Sequence, residues 1–398
     1  MITTEEALYI IADQVAEFGT VEIPLAEGIG RTLQEEWYAD RDLPPYNRVS
    51  MDGIAIRYDA FLGGQRVFKI EGVAPAGSPQ QTLNNAQACL EVMTGSVLPH
   101  YADSVIRYED LEITDGQAKV MIDKIQRDQN VHAKGKDRQA GNLIVPKFTS
   151  ISPAEIGIGA SLGKHTITVT RMPKVIVIST GDELVEIDQT PKNHQIRKSN
   201  VYRLATSLKA YNIHADTAHL QDDPAEIKSK IEAYLKDYDV IMLSGGVSKG
   251  KFDFIPEVLD QLGVQKLFHK IAQRPGKPFW FGKYKDSCTV FALPGNPVSS
   301  FLCMQRYFLY WLQYSIKGEA PEQAYAILDK NVHFKPDLTY YLEVKIRFTK
   351  DGKLLALPKK GNGSGDLVNL MEGDAFIELP RGRDEFKTGE IFPIYMYR

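Results

Sequence analysis

Cysteine is scarce in this sequence: Cys89, Cys288 and Cys303 are the three among 398 residues, odd in number and far apart. That pattern supports neither a disulfide frame nor a zinc knuckle, and apolar neighbours mark each as a core thiol. Long apolar runs are also missing, so no segment reads as a membrane span. The opening residues, MITTEEALYI, have neither the basic start nor the apolar centre of a secretory leader, and a cytoplasmic location is expected. Dense basic blocks are absent. With 47 Lys+Arg against 51 Asp+Glu and a formal net charge of −4, neither a nucleic acid nor a membrane is an expected partner, although a local basic pocket is compatible with that average. The 8 histidines supply no metal motif: His214 and His219 lie an odd number of residues apart in one strand pattern and point to opposite faces.

What is present is the composition of a globular protein, 43% apolar and 25% charged, in a chain too long for one ordinary core. Thr3 and Glu6 form a capping box ahead of Ala7, Leu8, Ile11, Val15 and Phe18, which predicts an amphipathic helix ending before Gly19. Leu43 to Gly53 is a proline-led extended segment closing in a turn that displays Asp52. Short strands follow at Arg66–Val73, Gln87–Met93, Ser104–Glu109 and Gln117–Ile122, a β-rich domain whose polar loops include Thr94-Gly95 and residues 130–137. Ser152-Pro153-Ala154-Glu155 caps a short helix.

From Arg171 to Lys317 the rhythm becomes strand, helix, strand, helix. The strands are Lys174–Ser179, Ile213–Leu220 and Asp239–Leu243, the helices Asn200–Ala210 and Pro224–Lys236. This alternation predicts a parallel sheet covered by helices, with ligands at the carboxyl ends of its strands. Four loops are thereby singled out: Thr180 to Glu183, Gln221 to Asp223, Ser244 to Ser248, and Leu293 to Val298. In the third, Gly245 and Gly246 let the backbone turn N–H groups toward an anion. Asp223 caps the helix at Pro224, leaving Asp222 the freer carboxylate. Glu183, Asp222 and Asp253 would then converge at one edge, a donor set suited to Mg²⁺ when phosphate supplies further oxygens. Arg274 and Lys277 add cations on a proline-stiffened segment, and Pro294-Gly295-Asn296-Pro297 leads into a long helix to Lys317. After Pro321 alternating strands return, at Tyr325–Phe334, Leu342–Arg347, Leu354–Leu357, Ala375–Leu379 and Ile391–Tyr397, a small β-barrel. Its Gly361–Gly365 loop carries Ser364, and mobility is its simplest reading.

Taken together, residues 179–184, 244–248 with Asp253, 274–278 and 294–299 resemble the molybdopterin molybdenumtransferases, the MoeA and gephyrin E-domain family. The resemblance extends to Ser50 to Gly53, Met93 to Gly95, Gly135-x-Asp137 and Gly363 to Gly365, and so covers essentially the whole chain. It implies a multidomain α/β and β fold. A three-layer domain with a mostly parallel sheet (MoaB/MogA-like) would span 171–318, and a β-barrel 319–398. A β-rich domain would comprise 27–40 with 53–137, and an elongated dimerisation domain 1–26 with 41–52 and 138–170.

The implied activity is insertion of molybdate into adenylylated molybdopterin, with Mg²⁺-dependent loss of AMP, by a homodimer with a shared site. The molybdopterin adenylyltransferase is a further expected partner. Glu183, Asp222 and Asp253 match the family's acidic, metal-associated group. Asp52 and Asp137 join them as catalytic candidates, contributed with Thr94 by a second copy. Gly245, Gly246, Ser248, Arg274, Lys277, Pro294, Pro297, Ser299 and Ser364 match its substrate-binding positions. The chain departs from the family's usual residues at Asn47, Arg48, Ile54, His132, Arg274 and Glu343, the last standing where an arginine is common. Two other readings stay open: the related adenylyltransferase step, and a non-catalytic scaffold of gephyrin E-domain type.

Overall fold

A computed structural model of the chain describes residues 1–247 and 253–398. The chain folds as two compact units, one of Met1–Gln34, Phe148–Ser152 and Thr166–Arg398, the other of Glu35–Lys147 and Pro153–His165.

At the centre of the first unit lies a six-stranded sheet. Its strands are β1 (Val175–Thr180), β2 (Asp216–Leu220), β3 (Val240–Ser244), β4 (Gln265–His269), β5 (Trp280–Tyr284) and β6 (Cys288–Leu293), in the order β2-β1-β3-β6-β5-β4. The pairings from β2 to β6 are parallel, while β5 and β4 add an antiparallel edge. The alternation along β1 shows why both faces are covered. Val175 and Val177 pack with Val201, Leu204 and Leu208 of helix α1 (Asn200–Lys209). Ile176 and Ile178 turn the other way, onto Ile227, Ile231 and Leu235 of α2 (Pro224–Asp237) and Val258 and Leu259 of α3 (Ile255–Gln261). Side chains of period two meeting helical faces on both sides make the sandwich.

Helix starts are set by local chemistry. Asp223 accepts from Ala225 N at 2.8 Å and Glu226 N at 3.3 Å, with Pro224 in the first turn, as the sequence predicts. The N-terminal capping box is also present, but the helix ends at Ala12 rather than before Gly19. Val15 is exposed, and Phe18 lies outside the helix with its ring edge-on to Trp311 at 5.9 Å, so tertiary packing rather than helical periodicity buries it. The predicted strand from Ile213 likewise shortens to Asp216–Leu220.

The long helix after β6 runs from α4 (Pro297–Cys303) through a π-helical stretch at Met304–Phe308 into α5 (Leu309–Lys317). Beyond it, β7 (Ala324–Leu328), β8 (Thr339–Phe348), β9 (Leu354–Pro358), β10 (Ala375–Leu379) and β11 (Ile391–Met396) close into a five-stranded barrel in the order β8-β9-β7-β11-β10-β8. The strand expected to reach Phe334 stops at Leu328. Phe301 and Phe376, with Tyr341 and Leu370, pack α4 against the barrel. Beneath them Arg306 Nε lies 3.3 Å from Glu378 Oε2 and 3.4 Å from Tyr341 Oη, both charged side chains being nearly excluded from solvent.

The second unit holds a six-stranded, mostly antiparallel sheet containing the expected strands as Val67–Ala74, Ala88–Val92, Ser104–Arg107 and Gln117–Val120. Gly53–Ile56 is a further, central strand of it, paired with Ala88–Val92 and Ser104–Arg107. All three cysteines are buried and unbonded to one another. Burial pushes the thiols of Cys89 and Cys288 up to about 12, as expected of core thiols. Among the described residues no helix is long and apolar enough to cross a membrane.

Breaking the buried Arg306–Glu378 pair by Glu378→Ala leaves an uncompensated guanidinium in the core, with an expected loss of about 3–5 kcal/mol by chemical denaturation. An apolar double replacement of Arg306 and Glu378 is expected to recover most of that stability.

Candidate active site

Parallel β1, β2, β3 and β6 end at one edge, and their following loops line a cavity of about 530 Å³. Glu183 comes from the loop after β1, Asp222 from the loop after β2, Gly245 and Gly246 from the turn after β3, and Pro294 to Pro297 from the turn after β6. Asp253 lines the same cavity. The three carboxylates anticipated from the sequence therefore share one wall. Ser248, also anticipated, lies outside the described residues.

The glycine pair is required by space as well as by backbone angle. Gly245 and Gly246 have φ of 112° and 69°. A Cβ on Gly245 would stand 2.9 Å from Thr180 Oγ1, and one on Gly246 2.7 Å from Ile255 Cγ1. Any side chain there would strain the turn and crowd its floor.

The cavity carries Arg197 and Lys198 as well as the carboxylates, and the acids act on one another. The Asp222 carboxyl is held above its ordinary value, first by burial and then by the charges of Asp182 and Glu183, with Asp253 adding to the effect. Asp182 also fixes the loop by accepting Asp222 N at 3.1 Å. Among the described residues, no group of three or more His, Cys, Asp or Glu forms a ready-made metal cage.

The cations and hydroxyls gather next door. Arg274, Lys277, Ser299 and Ser364 line a second cavity of about 260 Å³, which shares Pro278, Pro294 and Asn296 with the first. The Gly361–Gly365 loop, read from sequence as mobile, is tied down at several points. Asn296 Nδ2 donates to Ser364 Oγ at 2.8 Å, Val298 N to Ser364 O at 3.1 Å, and Asn362 N to Asp366 Oδ2 at 2.9 Å. Periodicity carries no trace of these contacts.

Asp52, Thr94 and Asp137 belong to the second unit. Asp52 Oδ1 accepts from Thr94 N at 2.6 Å and Thr94 Oγ1 at 2.7 Å, and these bonds hold its carboxyl below the usual range. His132 Nε2 lies 2.8 Å from Asp137 Oδ1, a partner for Asp137 at the departed position. Ile54 is fully buried in the sheet, and Asn47 Oδ1 accepts Lys134 N at 2.9 Å, so these departures carry structural duties.

Three contributors escaped the sequence reading. Asn200, taken only as a helix start, donates to Ser244 Oγ at 3.0 Å and Gly295 O at 2.6 Å, joining two of the cavity loops. Arg203, one turn on, donates to Pro297 O at 2.7 Å and Ser300 Oγ at 3.2 Å, and burial lowers its guanidinium to about 10. Lys198 lines the cavity and pairs with Glu186. The signal available for Asn200 and Arg203 was one turn of helix beginning at the sheet edge.

Comparison with known proteins matches three stretches of the chain. Residues 176–314 match a probable molybdopterin-binding domain, residues 2–163 the MoeA N-terminal region (domain I and II), and residues 325–397 the MoeA C-terminal region (domain IV). Fold and site together thus define a molybdopterin-handling domain set between two MoeA-type regions. The molybdopterin molybdenumtransferase of Synechocystis sp. is 41% identical over 100% of both chains, and that of Bacillus subtilis 26% identical over 100% of this chain and 94% of its own. A crystal structure of the molybdopterin biosynthesis MoeA protein from Pyrococcus horikoshii superposes with a TM-score of 0.82 at 28% identity, covering 100% of this chain and 99% of that one. The chain belongs to the molybdopterin molybdenumtransferase (MoeA) family, enzymes of molybdenum cofactor biosynthesis.

The raised Asp222 carboxyl has a consequence for stability. Its proton is held more tightly in the folded than in the unfolded chain, so its penalty is absent below the ordinary carboxylate pKa and grows as pH rises through the raised value. Asp222→Asn is therefore expected to raise the melting temperature at neutral pH in metal-free buffer, and saturating Mg²⁺ to narrow that gap in thermal melts.

Proposed function

We infer that this chain inserts molybdate into adenylylated molybdopterin with Mg²⁺-dependent release of AMP. The observation that carries this reading is the adjacency of two cavities in one unit. One, with a glycine turn, three carboxylates, Arg197 and Lys198, adjoins another lined by Arg274, Lys277, Ser299 and Ser364, sharing Pro294 and Asn296. A phosphoanhydride and a dianionic oxyanion need these two environments side by side.

The Gly245-Gly246 turn and the Pro294–Pro297 turn would cradle the pterin phosphate with backbone N–H groups. Glu183, Asp222 and Asp253 would hold Mg²⁺, which neutralises charge developing on the phosphate as the bond to AMP breaks. Arg274 and Lys277 would hold molybdate against the reacting end, with hydroxyl donors from Ser299 and Ser364. Arg274 offers a planar fork where a lysine offers a point charge, which favours paired contacts to a tetrahedral oxyanion. Asn200 and Arg203 keep the loops in register. In a homodimer, Asp52, Thr94 and Asp137 of a second copy would complete the site.

The adenylyltransferase reading is not favoured, because the MoeA-type regions at residues 2–163 and 325–397 extend beyond the molybdopterin-binding domain, and the scaffold reading is not favoured, because the full-length relatives are named as transferases.

With adenylylated molybdopterin, Mg²⁺ and molybdate, the purified protein is expected to release AMP. Asp253→Asn should lower single-turnover release by about 10²-fold or more while leaving the oligomeric state by light scattering unchanged. Release at the wild-type rate in that variant removes Asp253 from the chemistry.

A further inference from the structure

A third cavity, of about 280 Å³, shares Arg274, Pro275 and Ser364 with the oxyanion cavity and is also lined by Lys360 and Glu343. An acid is the wrong charge for such a place. Glu343 sits on β8 paired opposite Phe376 of β10, only 8% exposed, and no ion pair to it occurs among the described residues.

Its surroundings raise the affinity of the carboxylate for a proton. Burial is the largest influence and raises its pKa, and the charge of Asp366 adds to this; hydrogen bonds from its own backbone and from the Asn369 side chain oppose it without reversing it. The other ionisable groups facing it are accounted for. Tyr340 and Tyr397 are themselves held neutral, in part by burial and by Glu343. Asp366 is kept ionised by hydrogen bonds from Asn362, Asn369 and Val368. Lys359, which follows the strand, pairs with Glu372 instead. Arg274 and Lys360 remain as the cations facing the space.

We propose that Glu343 is the proton-carrying hydrogen-bond donor of this third cavity, so that a tetrahedral dianion held where it meets the oxyanion cavity, by the shared Arg274 and Ser364 with Lys360, enters together with one proton that resides on Glu343. This rests on the oxyanion reading of Arg274 and Ser364 given above. An ionised Glu343 repels a dianion and offers it only acceptors. Once protonated, it presents one O–H donor beside two cations and a hydroxyl, and the bound anion in turn stabilises that proton. The ionised carboxylate, by contrast, selects an oxyanion that brings its own proton. Glu343 thereby sets which protonation state of oxyanion the pocket takes, and makes affinity for a dianion depend on pH.

The test is calorimetric titration of the full-length protein with sodium molybdate, which stays a dianion between about pH 6 and about pH 8. Wild-type affinity should strengthen as pH falls, with a slope approaching about tenfold per pH unit and uptake of about one proton per anion, read from two buffers of different ionisation enthalpy. Glu343→Gln keeps a donor without a titratable proton, and should bind molybdate with a flat profile and no proton uptake. Arg274→Ala should lose binding at both ends of the range. Wild-type binding that depends on Arg274 but shows neither slope nor proton uptake overturns the role of Glu343 alone, as does a Glu343→Gln variant retaining the full slope. Should that variant not fold, the wild-type proton count decides by itself. No molybdate binding in the wild type overturns the oxyanion reading and this inference with it.

Discussion

Like charges held close together govern this structure. At the carboxyl ends of β1, β2 and β3, acid side chains face one cavity, and burial and their mutual repulsion leave Asp222 an unusually reluctant carboxylate. Such a wall costs stability in the free protein, and in the proposed function a cation with phosphate oxygens would relieve it. The scaffold is rigid enough to hold it. A sheet packed on both faces fixes where the strands end, and Asn200 and Arg203 tie the loops that those ends release.

The neighbouring cavity, lined by Arg274 and Lys277, has the complementary problem, cations that must be presented without collapsing onto the acids. The segment carrying Arg274 and Lys277 turns back on itself, with Ile271 N donating to Lys277 O at 3.0 Å, and the barrel supplies Ser364 from a loop anchored to Asn296 and Val298. The barrel is in turn bound to the long helix by a buried aromatic patch and by the Arg306–Glu378 pair. Through these contacts the position of Ser364 depends on packing far along the chain, and Glu343, on the barrel wall, borders the same space.

Much of this was legible in the sequence where one local rule acts alone. Asp223 with Pro224 announced a helix start, and the short apolar run before Gly245-Gly246 announced a strand and a glycine turn; the helix cap, the strand and the positive backbone angles of the turn all appear. The convergence of Glu183, Asp222 and Asp253 followed from topology, since loops after parallel strands share an edge. Legibility failed where distant residues decide. Phe18 continued a helical stripe, yet it is Trp311 that it meets, outside the helix. The Gly361–Gly365 loop looked mobile because its ties run to Asn296 and Val298, far away in sequence. The central strand Gly53–Ile56 was hidden behind a proline-led segment, and Asn200 gave no sign of bridging Ser244 and Gly295.

Cation chemistry at the carboxylates and oxyanion binding are thus proposed for adjoining cavities of one unit. A crystal structure of the protein with adenylylated molybdopterin, Mg²⁺ and molybdate tests it most directly. The account predicts the pterin phosphate on the Gly245-Gly246 turn, Mg²⁺ within reach of Glu183, Asp222 or Asp253, and molybdate against Arg274 and Ser364. Molybdate bound away from Arg274 and Ser364, or Mg²⁺ bound without any of the three carboxylates, would contradict it.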